Sequence, residues 1–139
     1  MRYWDSSALV SLLVAEAATP ERRALLDADP EIATWWGSSV ECASALRRLE
    51  REHQLNAVQL LRSFGQLENL VGGWREVEPS GHLRRRAVRL LGVHALRASD
   101  ALQLAAALMA AEEDPGLLDF VCGDTRLAEA ARREGFAVL

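Results

Sequence analysis

The 139-residue chain contains no lysine; all sixteen of its basic side chains are arginine. That absence removes whole classes of chemistry. A nucleotide-binding loop of the form G-x-x-x-x-G-K-[ST] needs its lysine against the phosphates, and no G-x-G-x-x-G turn is present either. Aspartyl-phosphate enzymes and receiver domains also place an aspartate after a first strand. They too rely on a lysine, and Asp5-Ser6-Ser7 lacks the second acid of a D-x-D pair. Cysteine is scarce. Cys42 and Cys122 are far apart and outside any C-x-x-C arrangement, so they read as two buried thiols in a reducing compartment. His53, His82 and His94 share no metal-ligand spacing and read as structural.

Long hydrophobic runs are missing as well. Ala8 to Ala15 is bracketed by Asp5 and Glu16, and Leu104 to Ala111 falls far short of the roughly 20 residues a membrane span needs. Neither run has the pattern of a secretory leader, so the expectation is a cytoplasmic protein with no membrane role. Repeats, linkers and low-complexity tracts are absent too. With 50% hydrophobic and 26% charged residues, the chain reads as one domain over 1–139 with its own core. A net charge of −4 speaks against a broad positive field for nucleic acid. Four acids gathered into one metal site would leave the remainder neutral (−4 + 4 = 0). Local arginines would then govern contact with a polyanion. The most basic stretch, Arg84-Arg85-Arg86 with Arg89, also reads simply as a solvated helix face.

What is present is an alternation of short apolar strands with helical patterns, the mark of a parallel α/β sheet. Strands are predicted at Arg2–Trp4, Ile32–Trp35, Arg75–Glu78, Asp119–Cys122 and Phe136–Leu139. Helices are predicted at Ser6–Ala15, from Thr19-Pro20 onward, at Ser39–His53, Leu55–Leu70, His82–Leu91, Ser99–Glu112 and Arg126–Glu134. Gly72-Gly73 and Gly135 act as stops. Trp4, Trp35, Trp36 and Trp74 fall mostly on strands, where packing accounts for them.

Four acids recur at equivalent places in this pattern. Asp5 and Asp124 directly follow strands, Glu41 lies in the first turn of a helix after a strand, and Asp100 opens a helix. In an open parallel sheet the carboxyl ends of the strands share one edge, where ligands bind. Each acid has a plainer reading beside this one. Asp5 and Asp124 suit helix N-caps, Ser38-Ser39-Val40-Glu41 fits a capping box, and Asp100 suits a helix's first turn. Position alone leaves both readings open.

The stretches YWDSSALVSLL, SSVECASALRRL, LRASDALQLAAAL and FVCGDTRLAEAARREGF occur in that order from Tyr3 to Phe136. Together they resemble the four acidic motifs of PIN domains, in particular the toxin ribonucleases of the VapC type. The resemblance implies a three-layer α/β/α fold with a mainly parallel five-stranded sheet of order 3-2-1-4-5. It implies a metal-dependent endoribonuclease holding Mg²⁺ or Mn²⁺ on Asp5 and Asp124, with Asp100 and Glu41 completing the pocket and Ser7 steadying Asp5. It further implies an RNA substrate, a VapB-like antitoxin and a homodimer. Arg97, in LRASD, points to the same edge as a phosphate clamp or acid partner, and equally as an ordinary surface arginine. Many relatives carry Thr or Ser where this chain has Cys122, and a thiol is the weaker donor, which implies a looser Asp124. The chemistry is coherent. A divalent cation neutralises a phosphodiester, acidifies bound water and stabilises the leaving oxygen, and hard cations take carboxylate oxygens. Two other readings within the fold stay open: a catalytically silent PIN-like module that binds protein or RNA, and a housekeeping PIN nuclease without an antitoxin.

Overall fold

The computed structural model describes residues 1–139. In chain order it runs β1 (Arg2–Trp4), α1 (Ser6–Leu13), α2 (Thr19–Ala28), β2 (Ile32–Trp35), α3 (Ser38–Arg51), α4 (Ala57–Val71) and β3 (Arg75–Val77). There follow α5 (Gly81–Leu91), α6 (Ala98–Ala110), a 3₁₀ turn (Pro115–Leu117), β4 (Phe120–Val121) and α7 (Thr125–Arg133). The strands form one parallel sheet of order β3-β2-β1-β4. β1 is central, with Tyr3 level with Ala33 on one side and Phe120 on the other.

Strand residues point alternately to the two faces of a sheet, and here both faces are buried. Tyr3, Ala33, Trp35, Phe120 and Cys122 pack on one side with Leu83, Leu90, Leu104, Leu108 and Leu127, that is, with α5, α6 and α7. Trp4, Ile32 and Val121 pack on the other with Leu9, Leu12, Leu46, Leu60 and Leu67 of α1, α3 and α4. The result is three layers, α/β/α. Tyr3 stacks on Phe120 at 5.2 Å between ring centroids, tying the central strand to its neighbour. No helix is long and apolar enough to cross a membrane.

The sheet has four strands, not five. The Phe136–Leu139 segment does run parallel to β4. Phe120 N–H donates to Ala137 O, Leu139 N–H to Phe120 O and Cys122 N–H to Leu139 O, but only Phe120 and Val138 form a bridge. β4 is two residues long, so it offers too short an edge for a full strand to register against it. Gly135 makes this return possible. Its φ of +104° lies where an L side chain is strained, and it turns the chain from the end of α7 back to the sheet.

This topology sets the edge where the candidate residues lie. β1 and β4 lie side by side and parallel, so the residues that follow them, Asp5 and Asp124, leave the sheet at the same end. Trp35 at the end of β2 delivers the chain to α3 and Glu41 on that edge.

Candidate active site

Asp5 is the most constrained of the four acids. It is 3% exposed and caps α1. One carboxylate oxygen accepts from Ser7 N–H at 3.0 Å; the other accepts from Ala8 N–H at 3.2 Å and Ser7 Oγ at 2.8 Å. Burial pushes its pKa up to about 6, despite these hydrogen bonds, which favour the charged form. Ser7 Oγ in turn accepts Gly123 N–H at 2.7 Å, so one hydroxyl links Asp5 to the loop that carries Asp124. A Cβ at Gly123 would meet Ser7 Oγ at 3.0 Å; the close approach of the two segments therefore favours glycine there.

Asp124 is partly exposed and caps α7, one oxygen accepting from Arg126 N–H at 2.9 Å and Leu127 N–H at 2.8 Å. Its orientation is therefore set by its own helix. The Cys122 thiol donates to the Asp124 carbonyl at 3.3 Å, not to its carboxylate. Burial and the Asp5 charge push that thiol's pKa up, so it stays protonated. Asp100 is partly buried on the first turn of α6 and accepts Arg97 N–H at 3.3 Å. The exposed Arg97 forms no ion pair with any of the four acids.

Glu41 behaves differently. The capping box offered by Ser38-Ser39-Val40-Glu41 does not form, because α3 begins one residue earlier, after Gly37, with no side-chain cap. Ser38 is buried and shares a hydrogen bond with Thr34 Oγ1 at 2.7 Å. Glu41 reaches away from its own helix end: Oε2 accepts Ser6 Oγ at 2.5 Å and Gln103 Nε2 at 3.1 Å.

Gln103 is the residue the sequence reading missed. It is 1% exposed and one helical turn beyond Asp100. It accepts the Tyr3 hydroxyl at 2.7 Å and donates to Ser38 Oγ at 3.0 Å and to Glu41. Burial, then the charges of Asp5 and Glu41, raise the Tyr3 pKa, which keeps it a neutral donor. The signal was a lone amide in the apolar run of α6; what it touches depends on β1 and α3. Gln103→Leu strands the Tyr3 hydroxyl in the core and takes a donor from Glu41 and from Ser38 Oγ, which keeps its bond to Thr34. The expected loss is about 2 kcal/mol of stability in urea unfolding, from one buried hydroxyl left unsatisfied. A loss below about 0.5 kcal/mol, the usual scale of a neutral surface change, would show that the network does not stabilise the fold.

Glu41 lines a polar cleft of about 690 Å³ whose walls also include Ser6, Ser7, Arg48, Ser99 and Gly123. The residues next to three of the acids in sequence thus line one cavity together with Glu41 itself. Eight ion pairs lie elsewhere on the molecule, and none involves Asp5, Glu41, Asp100 or Asp124. Their donor set is hard oxygen alone, which suits Mg²⁺ or Mn²⁺ and not a thiol- or imidazole-seeking metal. The side chains sit apart, each on its own hydrogen-bond donors, and no three acid, His or Cys side chains approach closely enough to share an ion. Like charges in a partly buried edge repel one another, and helix-terminal N–H groups are the nearest relief.

No family model matches the chain. Two curated relatives are similar to it over nearly its full length. Ribonuclease VapC45 of Mycobacterium tuberculosis (strain CDC 1551 / Oshkosh) is 34% identical over 136 residues, covering 98% of this chain and 92% of that protein. Ribonuclease VapC49 of Mycobacterium tuberculosis (strain ATCC 25618 / H37Rv) matches with the same identity and coverage.

Proposed function

This chain belongs to the VapC family of ribonucleases, and from that premise we propose that it is an endoribonuclease toxin that hydrolyses RNA phosphodiester bonds with Mg²⁺ or Mn²⁺ at the edge carrying Asp5, Glu41, Asp100 and Asp124. The observation that carries the reading is the uncompensated charge: Glu41 and the sequence neighbours of Asp5, Asp100 and Asp124 line one cleft, and none of the four acids makes an ion pair. A buried carboxylate such as Asp5 is expensive to keep ionised, and a cation is the natural remedy.

Asp5 and Asp124 would hold the metal, with Asp100 on the metal or its water. When bound, the ion supplies charge neutralisation at the phosphate and a more acidic water. The chain's own residues do the rest. Ser7 and the N–H groups at the start of α1 fix the Asp5 carboxylate, and those of α7 fix Asp124. Glu41 is held through Oε2 by Ser6 and Gln103, leaving Oε1 free to orient a water and accept its proton. The water oxygen bonds to phosphorus as one P–O ester bond breaks, and the departing oxygen takes up a proton. Arg97 would steady the substrate's phosphate from the rim.

A VapB-like antitoxin and a second copy of the chain are the partners this reading brings with it. Val58 and Leu61 on α4, Val88 and Leu91 on α5, and Val93 just after it are exposed apolar side chains available to such contacts. The test is direct: the purified chain should cleave RNA with Mg²⁺ or Mn²⁺, and EDTA should abolish cleavage. Calorimetry should show divalent-metal binding that Asp124→Asn weakens. Failure to bind metal would mark a silent module instead.

A further inference from the structure

The most unusual cation in the molecule lies outside this cleft. Arg22, on α2, is only 7% exposed, yet it makes no ion pair with any carboxylate. Its Nη2 donates to the Cys122 carbonyl at 2.8 Å; its Nε and Nη1 have no partner. A buried guanidinium with no ion-pair partner and two buried donors lacking hydrogen bonds is costly to maintain. It borders a second cavity, of about 240 Å³, shared with Arg132, Gly123, Asp124 and Thr125. Arg132 is exposed and also free of ion pairs. The cavity opens at the start of α7, nine residues long, where the helix dipole favours an anion. Asp124 shares the wall; its Oδ1 is engaged by Arg126 and Leu127 N–H, and its Oδ2 makes no hydrogen bond.

We infer that Arg22 and Arg132 form a binding site for a phosphate group. On the ribonuclease reading above, on which this assignment rests, the group is a backbone phosphate of the RNA next to the one being cleaved. Gly123 is the reason to choose a polymer. It lines both this cavity and the cleft that holds Glu41, so a strand crossing it meets both. A guanidinium pairs with phosphate oxygens in a bidentate fork, a geometry that suits a fixed anion.

The test uses the full chain, with Arg132→Gln as the main variant because Arg132 is on the surface. Arg22→Gln is the second, its folding checked by circular dichroism. With Mn²⁺ present, Arg132→Gln should raise KM for RNA about tenfold, the loss of one charged hydrogen-bonded contact. The effect should fall on KM rather than kcat. The log–log salt slope of RNA binding should become shallower by about one unit, and Arg132→Lys should restore most of it. Inorganic phosphate, in EDTA, should raise the melting temperature of the natural chain but not of Arg132→Gln.

If the natural chain cleaves RNA while both variants keep its KM and salt slope, the inference is overturned and the ribonuclease reading stands. If phosphate stabilises but KM is unmoved, the site serves a free phosphate compound and the RNA assignment is overturned. If the chain cleaves no RNA, the ribonuclease reading fails. The phosphate arm then decides alone: a shift lost in Arg132→Gln upholds the anion site, and no shift removes it.

Discussion

Asp5→Asn is expected to lower RNA cleavage roughly a thousandfold, the rate equivalent of several kcal/mol of metal-based stabilisation, while making the folded chain more stable at pH 8. The two effects have one cause. Asp5 is held at 3% exposure, and burial lifts its pKa from 3.8 to about 6. The folded state therefore binds the Asp5 proton more tightly than the unfolded chain does. The associated stability is fully present below pH 3.8 and is lost as the pH rises through about 6. A shift of roughly two units corresponds to about 3 kcal/mol of strain carried above that range. Asn keeps an acceptor at the cap position of α1, where Asn and Asp serve about equally, but it carries no charge. Urea unfolding of both proteins at pH 4 and pH 8 measures the difference directly. Asp5→Asn should be close to the natural chain at pH 4 and more stable by about 2 kcal/mol at pH 8, allowing for the bond that Ser7 N–H loses. Equal stability differences at the two pH values would show that Asp5 is not strained. Undiminished cleavage would remove it from the active site.

This coupling of strain to chemistry bears on what the sequence made legible. Strand ends were readable because both faces of the sheet are buried, so Tyr3 and Trp4, or Phe120 and Val121, all had to be apolar or aromatic. The places of Asp5 and Asp124 followed, since an acid directly after a strand has one location in a parallel sheet. The fifth strand did not follow. Phe136 to Leu139 has a strand's composition, but its pairing depends on the length of β4, a property of another segment. Local pattern also misjudged Glu41. Ser38-x-x-Glu41 has the spacing of a capping box, yet Ser38 is drawn inward by Thr34 and Gln103, and Glu41 is freed to face Ser6. Gln103 and Arg22 were illegible for the same reason: their partners lie some sixty to a hundred residues away in sequence. Nothing in α2 by itself says that one of its arginines will be buried against the backbone of Cys122.

The distribution of charge leads to the other large effect, on RNA affinity. A net charge of −4 with no lysine gives the chain no broad positive field. Arg86 pairs with Glu113 and Arg133 with Glu129, so part of the arginine surface is neutralised. Glu41 lines the proposed cleft, beside residues adjacent in sequence to Asp5, Asp100 and Asp124. RNA should therefore bind weakly in EDTA and about tenfold or more tighter with Mn²⁺, since neutralising even one like-charge contact is worth roughly 1.4 kcal/mol. The appropriate protein is Glu41→Gln, which is expected to stop cleavage while keeping the other three acids, studied by fluorescence anisotropy with a labelled RNA. Its dependence on monovalent salt should be shallow. Each phosphate neutralised on a single strand contributes about 0.7 to the log–log slope. The phosphate held by Arg22 and Arg132 and the one held by Arg97 account for two, giving a slope of about 1.4 in magnitude. A broad basic surface would instead give the much steeper slope of many released counterions. Tight binding in EDTA with a steep slope would mean that the exposed arginines of α5, Arg84, Arg85 and Arg89, hold the RNA. The acids at the strand ends would then serve bond cleavage alone, with no part in drawing the substrate in.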